Sequence, residues 1–304
     1  MNELSPLVDG LFYPGEKDEL ISLLDSLLNK APASVESTDY IVTPHAAYTY
    51  CGIPMAAAYK ALDLDKDNPP ERIIILAPLH REAEPGLYLS SAEGIELPIG
   101  RINFDLEAIQ LLKKQKFFST WDVPYQEEPG IEVQLPFVSH LFPDIPVLPI
   151  YANVEKRAIQ KGLAEALLLF PDSKFIITSN LTGFLQRERS LALAEEFLSA
   201  ISARKEDASF DPESWKQSRK GGLPRPCGLE LLSAFWLYWQ KKYSGVEPDM
   251  RILSWGPDTE ERKANAAEIS ALVESPGRED KCTFYAGFGL FRNPKNQKIM
   301  ESEG

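Results

Sequence analysis

Two short apolar runs in this chain are each followed by a proline and then by a histidine. The histidine comes directly after the proline in the first case and one residue later in the second. The run 39–43 leads into Pro44 and His45, and the run 72–77 leads into a second proline and then His80. Both runs have the length and the β-branched composition of buried β-strands. Ligands and chemistry in α/β proteins gather at the carboxyl ends of strands, and histidine is the commonest metal ligand and the usual acid or base at neutral pH. The two runs therefore predict a metal or catalytic site at neighbouring strand ends.

Strand and helix patterns alternate along the rest of the chain. Periodic apolar residues predict helices over 17–30, 53–62, 105–114, 155–169, 190–203 and 229–242. Apolar runs predict further strands over 145–151, 174–178, 250–255 and 283–291, while the segment 132–141 is mixed. This alternation is typical of an α/β fold, here a single domain with a largely parallel central sheet flanked by helices. We expect that domain to span residues 1–292, with a long polar loop over Arg204–Arg225 and a polar C-terminal tail over 293–304.

Composition and charge narrow the classes of function. Hydrophobic residues make up 44% of the 304 residues, which suits a globular protein. The net charge of −13 opposes nonspecific binding to nucleic acid and docking on anionic membranes. The chain has neither an apolar run of about 20 residues nor the pattern of a signal peptide, and its three cysteines form no disulfide framework. We expect a cytoplasmic protein with no nucleic-acid or membrane partner, whose oligomeric state the sequence does not predict.

Three residues are candidate metal ligands. Two imidazoles, from His45 and His80, suit iron, zinc or copper. Cys227 comes just before the most apolar predicted helix, and a helix N-terminus favours the thiolate that binds metals. Each residue also has a structural interpretation: a hydrogen-bonded turn for His45, a solvated loop for His80, and a small buried residue at a helix start for Cys227. His140 lies on a predicted helix and is interpreted as structural or as a surface residue.

Further polar and aromatic residues are candidates for the surroundings of that site. Asn180 ends a predicted strand, where an aspartate could act as ligand or base but an asparagine can only hydrogen-bond. Glu127, Glu128 and Glu132 cluster before an apolar segment and could supply a base, or could be solvated or cap a helix. Tyr48 could contact a substrate or pack in the core. We place Tyr48, Asn180 and Glu128 at a candidate cleft.

Several segments, taken in order, resemble the motifs of the Memo family, whose bacterial members are called AmmeMemoRadiSam system protein B. The segment from Pro44 to Gly52 is similar to the family's Pro-His-Ala-Gly-Tyr-x-Tyr-Ser/Cys-Gly block, and Glu132 to Phe137 matches its Glu-Val-Gln-Leu-Pro-Phe. The other similar segments are 8–14, 76–80, 179–183, 227–228 and 285–287. The resemblance covers about residues 5 to 291.

The resemblance implies a fold similar to class III extradiol dioxygenases, which are non-haem iron enzymes. It also implies that the metal ligands are two histidines and a cysteine, at positions that correspond to His45, His80 and Cys227. We therefore expect a divalent transition metal, iron or copper before zinc, and dioxygenase-like chemistry.

The chain departs from the family where acid or base residues would stand. The family's Asp and His after the third strand are Asn180 and Gly183 here, and its Glu-His-Ser is Glu128, Pro129 and Gly130. Oxygen-dependent ring opening needs a group beside the metal to move the substrate's proton, typically contributing about 10²–10⁴-fold.

Three hypotheses follow from these matches and departures. The first is a metal-binding protein with redox or oxygen-dependent chemistry and degenerate acid and base residues. The second is a non-catalytic protein that binds a peptide or a small ligand in a cleft near His45, Asn180 and the loop Arg204–Arg225. The third and weaker hypothesis is hydrolysis by zinc-bound water, with a base from the glutamate cluster.

Overall fold

An eight-stranded sheet forms the centre of the part of the chain that the structure describes. The structure, a computed structural model, describes residues 3–34, 36–62, 69–81, 83–202, 226–244, 246–257 and 281–292. The strands of the chain are β1 (Glu3–Leu4), β2 (Tyr40–Thr43), β3 (Arg72–Pro78), β4 (Gly86–Leu89), β5 (Gly94–Leu97), β6 (Gly100–Asn103), β7 (Phe118–Thr120), β8 (Val147–Asn153), β9 (Ser173–Thr178), β10 (Leu185–Gln186), β11 (Pro248–Pro257), β12 (Lys281–Cys282) and β13 (Phe284–Arg292). The loop Arg204–Arg225 and the tail 293–304 lie outside the described residues.

The central sheet has the order β11-β13-β2-β9-β3-β8-β4-β7. Its four middle strands, β2, β9, β3 and β8, are mutually parallel. The antiparallel pairs lie toward the edges, where β13 joins β2 and β11, and β4 joins β8. This confirms the predicted α/β class with a largely parallel sheet, because the strands that bear the predicted site are all parallel.

Eight α-helices and one 3₁₀ turn are described around the sheet. They are α1 (Lys17–Lys30), α2 (Tyr48–Ala61), α3 (Leu106–Leu112), α4 (Val123–Glu127), the 3₁₀ turn Glu132–Gln134, α5 (Leu135–Leu141), α6 (Arg157–Leu167), α7 (Arg187–Ser202) and α8 (Leu229–Lys242). Within the described ranges, none of these helices is long and apolar enough to cross a membrane.

Helix α2 begins five residues before the predicted start at Ile53. Its first turn contains Tyr48 and Cys51, two residue types with low helix propensity, and both side chains are buried. Burial of these side chains outweighs their low helix propensity. The extension matters for the site, because it brings the start of α2 to within three residues of His45.

Aromatic side chains fill the core between the sheet and α8. Tyr40 stacks on Phe175 with 5.4 Å between ring centroids, and these two residues are register partners on β2 and β9. Phe235 and Trp239 of α8 lie 5.5 and 5.0 Å from the Tyr40 ring. This packing fixes α8 across β2 and β9, and so determines where its N-terminus, next to Cys227, meets the strand ends.

A second, three-stranded sheet was not predicted. It has the order β1-β5-β6, and β5 and β6 form a hairpin. Gly100 in this hairpin has a φ of +130°, a conformation that favours glycine.

Candidate metal centre

His45 lies where the chain passes from β2 into α2 and is 5% exposed. Its backbone N–H donates to Oδ1 of Asn180 at 3.0 Å. The preceding carbonyl, of Pro44, accepts a hydrogen bond from Nε2 of Gln134 at 2.9 Å. Gln134 is fully buried, and its Oε1 accepts from the hydroxyl of Tyr59. The turn that presents His45 is therefore held from both sides.

His80 follows β3 and is held by Glu128. One oxygen of the Glu128 carboxylate accepts from the backbone N–H groups of His80 and Arg81 at 2.9 and 3.0 Å, and the other lies 2.9 Å from Nδ1 of His80. Glu128 is 4% exposed, whereas 44% of the His80 side chain is exposed. This arrangement directs Nε2 of His80 away from Glu128, since one ring nitrogen is already engaged.

Cys227 precedes α8 and is tied to the end of β9. The backbone N–H of Asn180 donates to Sγ of Cys227 at 3.1 Å, and the Cys227 N–H donates to the Asn180 carbonyl at 3.3 Å. The next residue, Gly228, donates its N–H to Oγ of Ser179 at 3.0 Å. A Cβ at position 228 would lie 2.5 Å from the carbonyl oxygen of Thr178, so only glycine permits this close approach.

The three candidate ligands converge. One ligand atom from each of His45, His80 and Cys227 lies within 4.8 Å of the others. The Cys227 sulfur lies 3.5 Å from Nε2 of His45, and the two imidazole centroids are 5.1 Å apart. A tetrahedral ion with ordinary metal–nitrogen and metal–sulfur bonds would separate N and S by about 3.6 Å. The donor set and the spacing of the His45 and Cys227 donor atoms therefore fit a single metal ion.

The two histidine strands are not neighbours, contrary to the prediction. Strand β9 lies between β2 and β3, so Asn180 follows the strand that separates the two histidine strands. The sequence order of the strands does not predict this insertion, because β9 comes about 100 residues later in the chain. The insertion explains how Asn180 contacts both His45 and Cys227.

The electrostatics of the three residues favour a thiolate beside imidazolium. Burial would raise the pKa of Cys227, but the charges and hydrogen bonds of His45 and His80 outweigh it and lower that pKa to about 5. Hydrogen bonds to Cys227 and Glu128 raise the pKa of His80 to about 10. Burial would likewise raise the pKa of Glu128, yet its bonds to His80 hold it below the usual value. A thiolate is the form of cysteine that binds metals.

A cleft of about 560 Å³ opens beside this cluster. Its walls come from the segment after β3, the end of β8 and the start of α8: Pro78, Leu79, His80, Arg81, Ala83, Pro85, Ala152, Asn153, Val154, Glu155, Pro226, Cys227, Glu230 and Leu231. His45 does not line it. A ligand in the cleft would therefore approach from the side of His80 and Cys227. The volume is typical of a small-molecule site.

Tyr48, Asn180 and Glu128 do not line this cleft. Tyr48 is 3% exposed and donates its hydroxyl to the carbonyl of Val133 at 2.7 Å, in the core. Asn180 instead forms hydrogen bonds with His45 and Cys227, and Glu128 forms hydrogen bonds with His80.

The other glutamates of the cluster are also engaged away from the cleft. Glu132 accepts hydrogen bonds from the N–H groups of Leu7 and Val8 and from the hydroxyl of Tyr13, at 2.6 to 3.0 Å. Glu127 forms an exposed ion pair with Arg81 at 2.7 Å. Neither glutamate lines the cleft, so neither stands where a base for zinc-bound water would be needed.

The remaining histidine and cysteines lie apart from the cluster. His140 on α5 is 2.9 Å from the carboxylate of Asp25 on α1 and links the two helices. Cys51 and Cys282 are buried, as expected for packing residues.

Sequence reasoning missed several polar residues of the site. Asn153 ends β8 and Glu155 follows it, so the strand-end argument that found the histidines would also have found them. Glu230 lies in the first turn of α8, next to the predicted Cys227. Gln134 stands inside a recognised motif, but its hydrogen bond to Pro44 depends on a contact between distant segments.

A family model and relatives found by sequence agree with the motif resemblance. A family model described as Memo-like protein matches residues 5–231. A MEMO1 family protein from Aquifex aeolicus is 26% identical over 235 residues, which are 76% of this chain and 86% of the relative. A second, from Thermotoga neapolitana, is 27% identical over 219 residues, or 67% and 78% of the two chains. The crystal structure of the uncharacterized protein JW3007 from Escherichia coli K12 has a TM-score of 0.43 at 11% identity, covering 82% of this chain and 99% of that one.

Proposed function

Because the chain belongs to the Memo-like protein family, we propose that His45, His80 and Cys227 bind a divalent transition metal, iron or copper before zinc, for redox or oxygen-dependent chemistry on a small molecule. The supporting observation is the convergence of two imidazole nitrogens and one sulfur within 4.8 Å. Nitrogen and thiolate donors suit these metals and disfavour magnesium or calcium. A bound metal would supply redox capacity or polarise a bound oxygen atom.

The protein's own residues supply orientation. Glu128 holds the His80 ring through Nδ1, an arrangement that keeps Nε2 available as a ligand. The Asn180 N–H at the Cys227 sulfur stabilises negative charge on that atom. The cleft lies on the open side of His80 and Cys227, so the small molecule would contact the metal from there.

Elemental analysis of protein purified without oxygen tests the metal. We expect near-stoichiometric iron, copper or zinc in the natural protein, and loss of it in a His45→Ala, His80→Ala, Cys227→Ser variant. A matched control is His140→Ala, which removes a histidine that lies in an ion pair with Asp25. Absence of metal from the natural protein, even after reconstitution, would overturn the proposal.

A second candidate function is non-catalytic binding of a small ligand or peptide in the same cleft. It is favoured by the residues at the family's acid and base positions, which are Pro129, Asn180 and Gly183 here. Asn180 uses its side-chain oxygen on the backbone of His45, a bond that an aspartate would also make. A Cβ at Gly183 meets no described atom within 4 Å, so a side chain can begin there without a clash at its first carbon.

The double variant Asn180→Asp, Gly183→His separates the two functions. If only this variant turns over a catechol-like substrate, the natural chain is a binding protein derived from an enzyme. Turnover by the natural chain would instead exclude the non-catalytic function. The single variant Gly183→Ala is the control for a side chain at that position.

A further inference from the structure

The two histidines of the metal cluster differ in what holds their second ring nitrogen. Nδ1 of His80 lies 2.9 Å from a Glu128 carboxylate oxygen. Nδ1 of His45 is buried and has no hydrogen-bond partner within the described chain. A metal-ligating histidine almost always donates its other N–H to a carboxylate, a carbonyl or a water. The support for His45 must therefore come from something other than the side chains described around it.

Two threonine hydroxyls at the same strand ends are buried and without partners in the described structure. Thr43 ends β2, Thr178 ends β9, and both are fully buried with an unbonded Oγ1. The two residues are register partners on parallel strands, so their side chains lie side by side on one face of the sheet. Tyr40 and Phe175, three positions earlier, face α8. By strand alternation the threonines point to the opposite face.

The residues that carry these unbonded atoms are close to one another in the chain or in the sheet register. Thr43 is two residues before His45, and Thr178 is two residues before Asn180, which binds the His45 backbone. Gln134, which is fully buried, reaches the carbonyl of Pro44 between Thr43 and His45, so this region is polar on several sides. Buried polar groups are nearly always satisfied by protein or by ordered water, and a buried water needs two to four polar partners.

We propose that a buried water molecule binds beneath His45, with His45 Nδ1 and the hydroxyls of Thr43 and Thr178 as its protein partners. The water accepts the Nδ1–H of His45 and donates to the threonine oxygens. With its Nδ1–H engaged by the water, His45 has Nε2 as the ring nitrogen that remains to bind a metal ion beside Cys227. Thr43 and Thr178 are then positioning residues, and their effect on the metal rests on the proposed function.

The water gives the two imidazoles unequal support. His80 is backed by an anionic carboxylate and His45 by a neutral molecule held by two hydroxyls.

Replacing both hydroxyls with methyl groups, in Thr43→Val and Thr178→Val, preserves shape and removes the water's partners. Thr43→Ser and Thr178→Ser retain them. Ser173→Ala is the matched control, because Ser173 has a buried, unbonded hydroxyl at the opposite end of β9.

A high-resolution crystal structure of the metal-free natural protein tests the water directly. We expect density within hydrogen-bond distance of His45 Nδ1 and at least one of the two threonine hydroxyls. Its absence would overturn the proposal, whether or not any variant folds. Because no metal is involved, this result is independent of the proposed function.

Metal competition with a chelator and ¹⁵N NMR of the His45 ring test the consequence. We expect the double valine variant to lose about 10–100-fold in metal affinity and to show a mixture of His45 tautomers. The double serine variant and Ser173→Ala should match the natural protein in both measurements. An unchanged tautomer in the double valine variant would overturn the positioning role. If the natural protein binds no metal but the water and the tautomer shift are observed, the proposed function fails and the water site stands.

Discussion

Glu128 and Glu127 are adjacent glutamates with opposite surroundings. Glu128 is 4% exposed and bonded to His80 and Arg81, whereas Glu127 is 42% exposed and pairs with the Arg81 side chain on the surface. We expect Glu128→Gln to weaken metal binding by about 10–100-fold, because the hydrogen bond between residue 128 and Nδ1 of His80 is either lost or reversed in direction. Glu127→Gln should leave the affinity unchanged, since exposed ion pairs contribute about 0–1 kcal/mol. Chelator competition measures both, and equal effects would contradict the role given to Glu128.

The Cys227 thiol provides a second test at this scale. In metal-free protein its pKa is lowered to about 5, so the thiolate predominates at neutral pH and is lost only as the pH falls through that value. We expect iodoacetamide to modify Cys227 with a rate that is half-maximal near pH 5, against about 8.5 for an ordinary cysteine. His80→Ala should move that half-point upward. A half-point near 8.5 in the natural protein would refute the thiolate–imidazolium pair.

The sequence predicted the candidate ligands better than the residues that hydrogen-bond to them. His45 and His80 could be found because each follows a strand-like run, which is a local pattern. The contacts of Glu128, Gln134 and Asn180 join segments 48 to 135 residues apart, so no local pattern encodes them. The role of the Glu128 carboxylate as a hydrogen-bond partner of His80 is one that the sequence does not predict.

Among the elements, the junction of β9 with α8 determines the position of Cys227. A Cβ at Gly228 would lie 2.5 Å from the Thr178 carbonyl and 2.8 Å from Cβ of Ser179, whereas a Cβ at Gly183 meets nothing within 4 Å. We expect Gly228→Ala to push α8 from the strand end, lowering stability by about 1–3 kcal/mol and weakening metal binding. Gly183→Ala should change neither. Chemical denaturation and chelator competition on the pair of variants check this, and a neutral Gly228→Ala would show that the junction can relax.

How well an element could be predicted depended on its length and burial. Helices α1 and α8 have the predicted bounds, because each presents a long run of apolar residues at helical spacing. Strands β4, β5 and β6 have four residues each, too few for a periodic pattern to stand out. The parallel order of the middle strands followed from the alternation of elements, but the insertion of β9 between β2 and β3 did not.

At the scale of the whole molecule, the metal would couple distant segments. Its candidate ligands follow β2, follow β3 and precede α8, so an unfolded chain cannot hold them together. We expect metal at about 100 times its Kd to stabilise the natural protein by about 2.7 kcal/mol, seen as a rise of several degrees in Tm. The His45→Ala, His80→Ala, Cys227→Ser variant should show no rise. A comparable shift in that variant would place the stabilising ion elsewhere.

The position of Cys227 in the sequence also determines when, during synthesis of the chain, the three candidate ligands can first come together. Cys227 is made 147 residues after His80, which at ordinary rates of translation is roughly 7–30 s later. During that interval the cluster would have its two imidazoles without the Cys227 sulfur, which is a weak and unselective donor pair. The closing of α8 against β9 brings the sulfur to the histidines. If these residues bind a metal as proposed, loading would have to wait until the strands and the late helix have been synthesised and assembled.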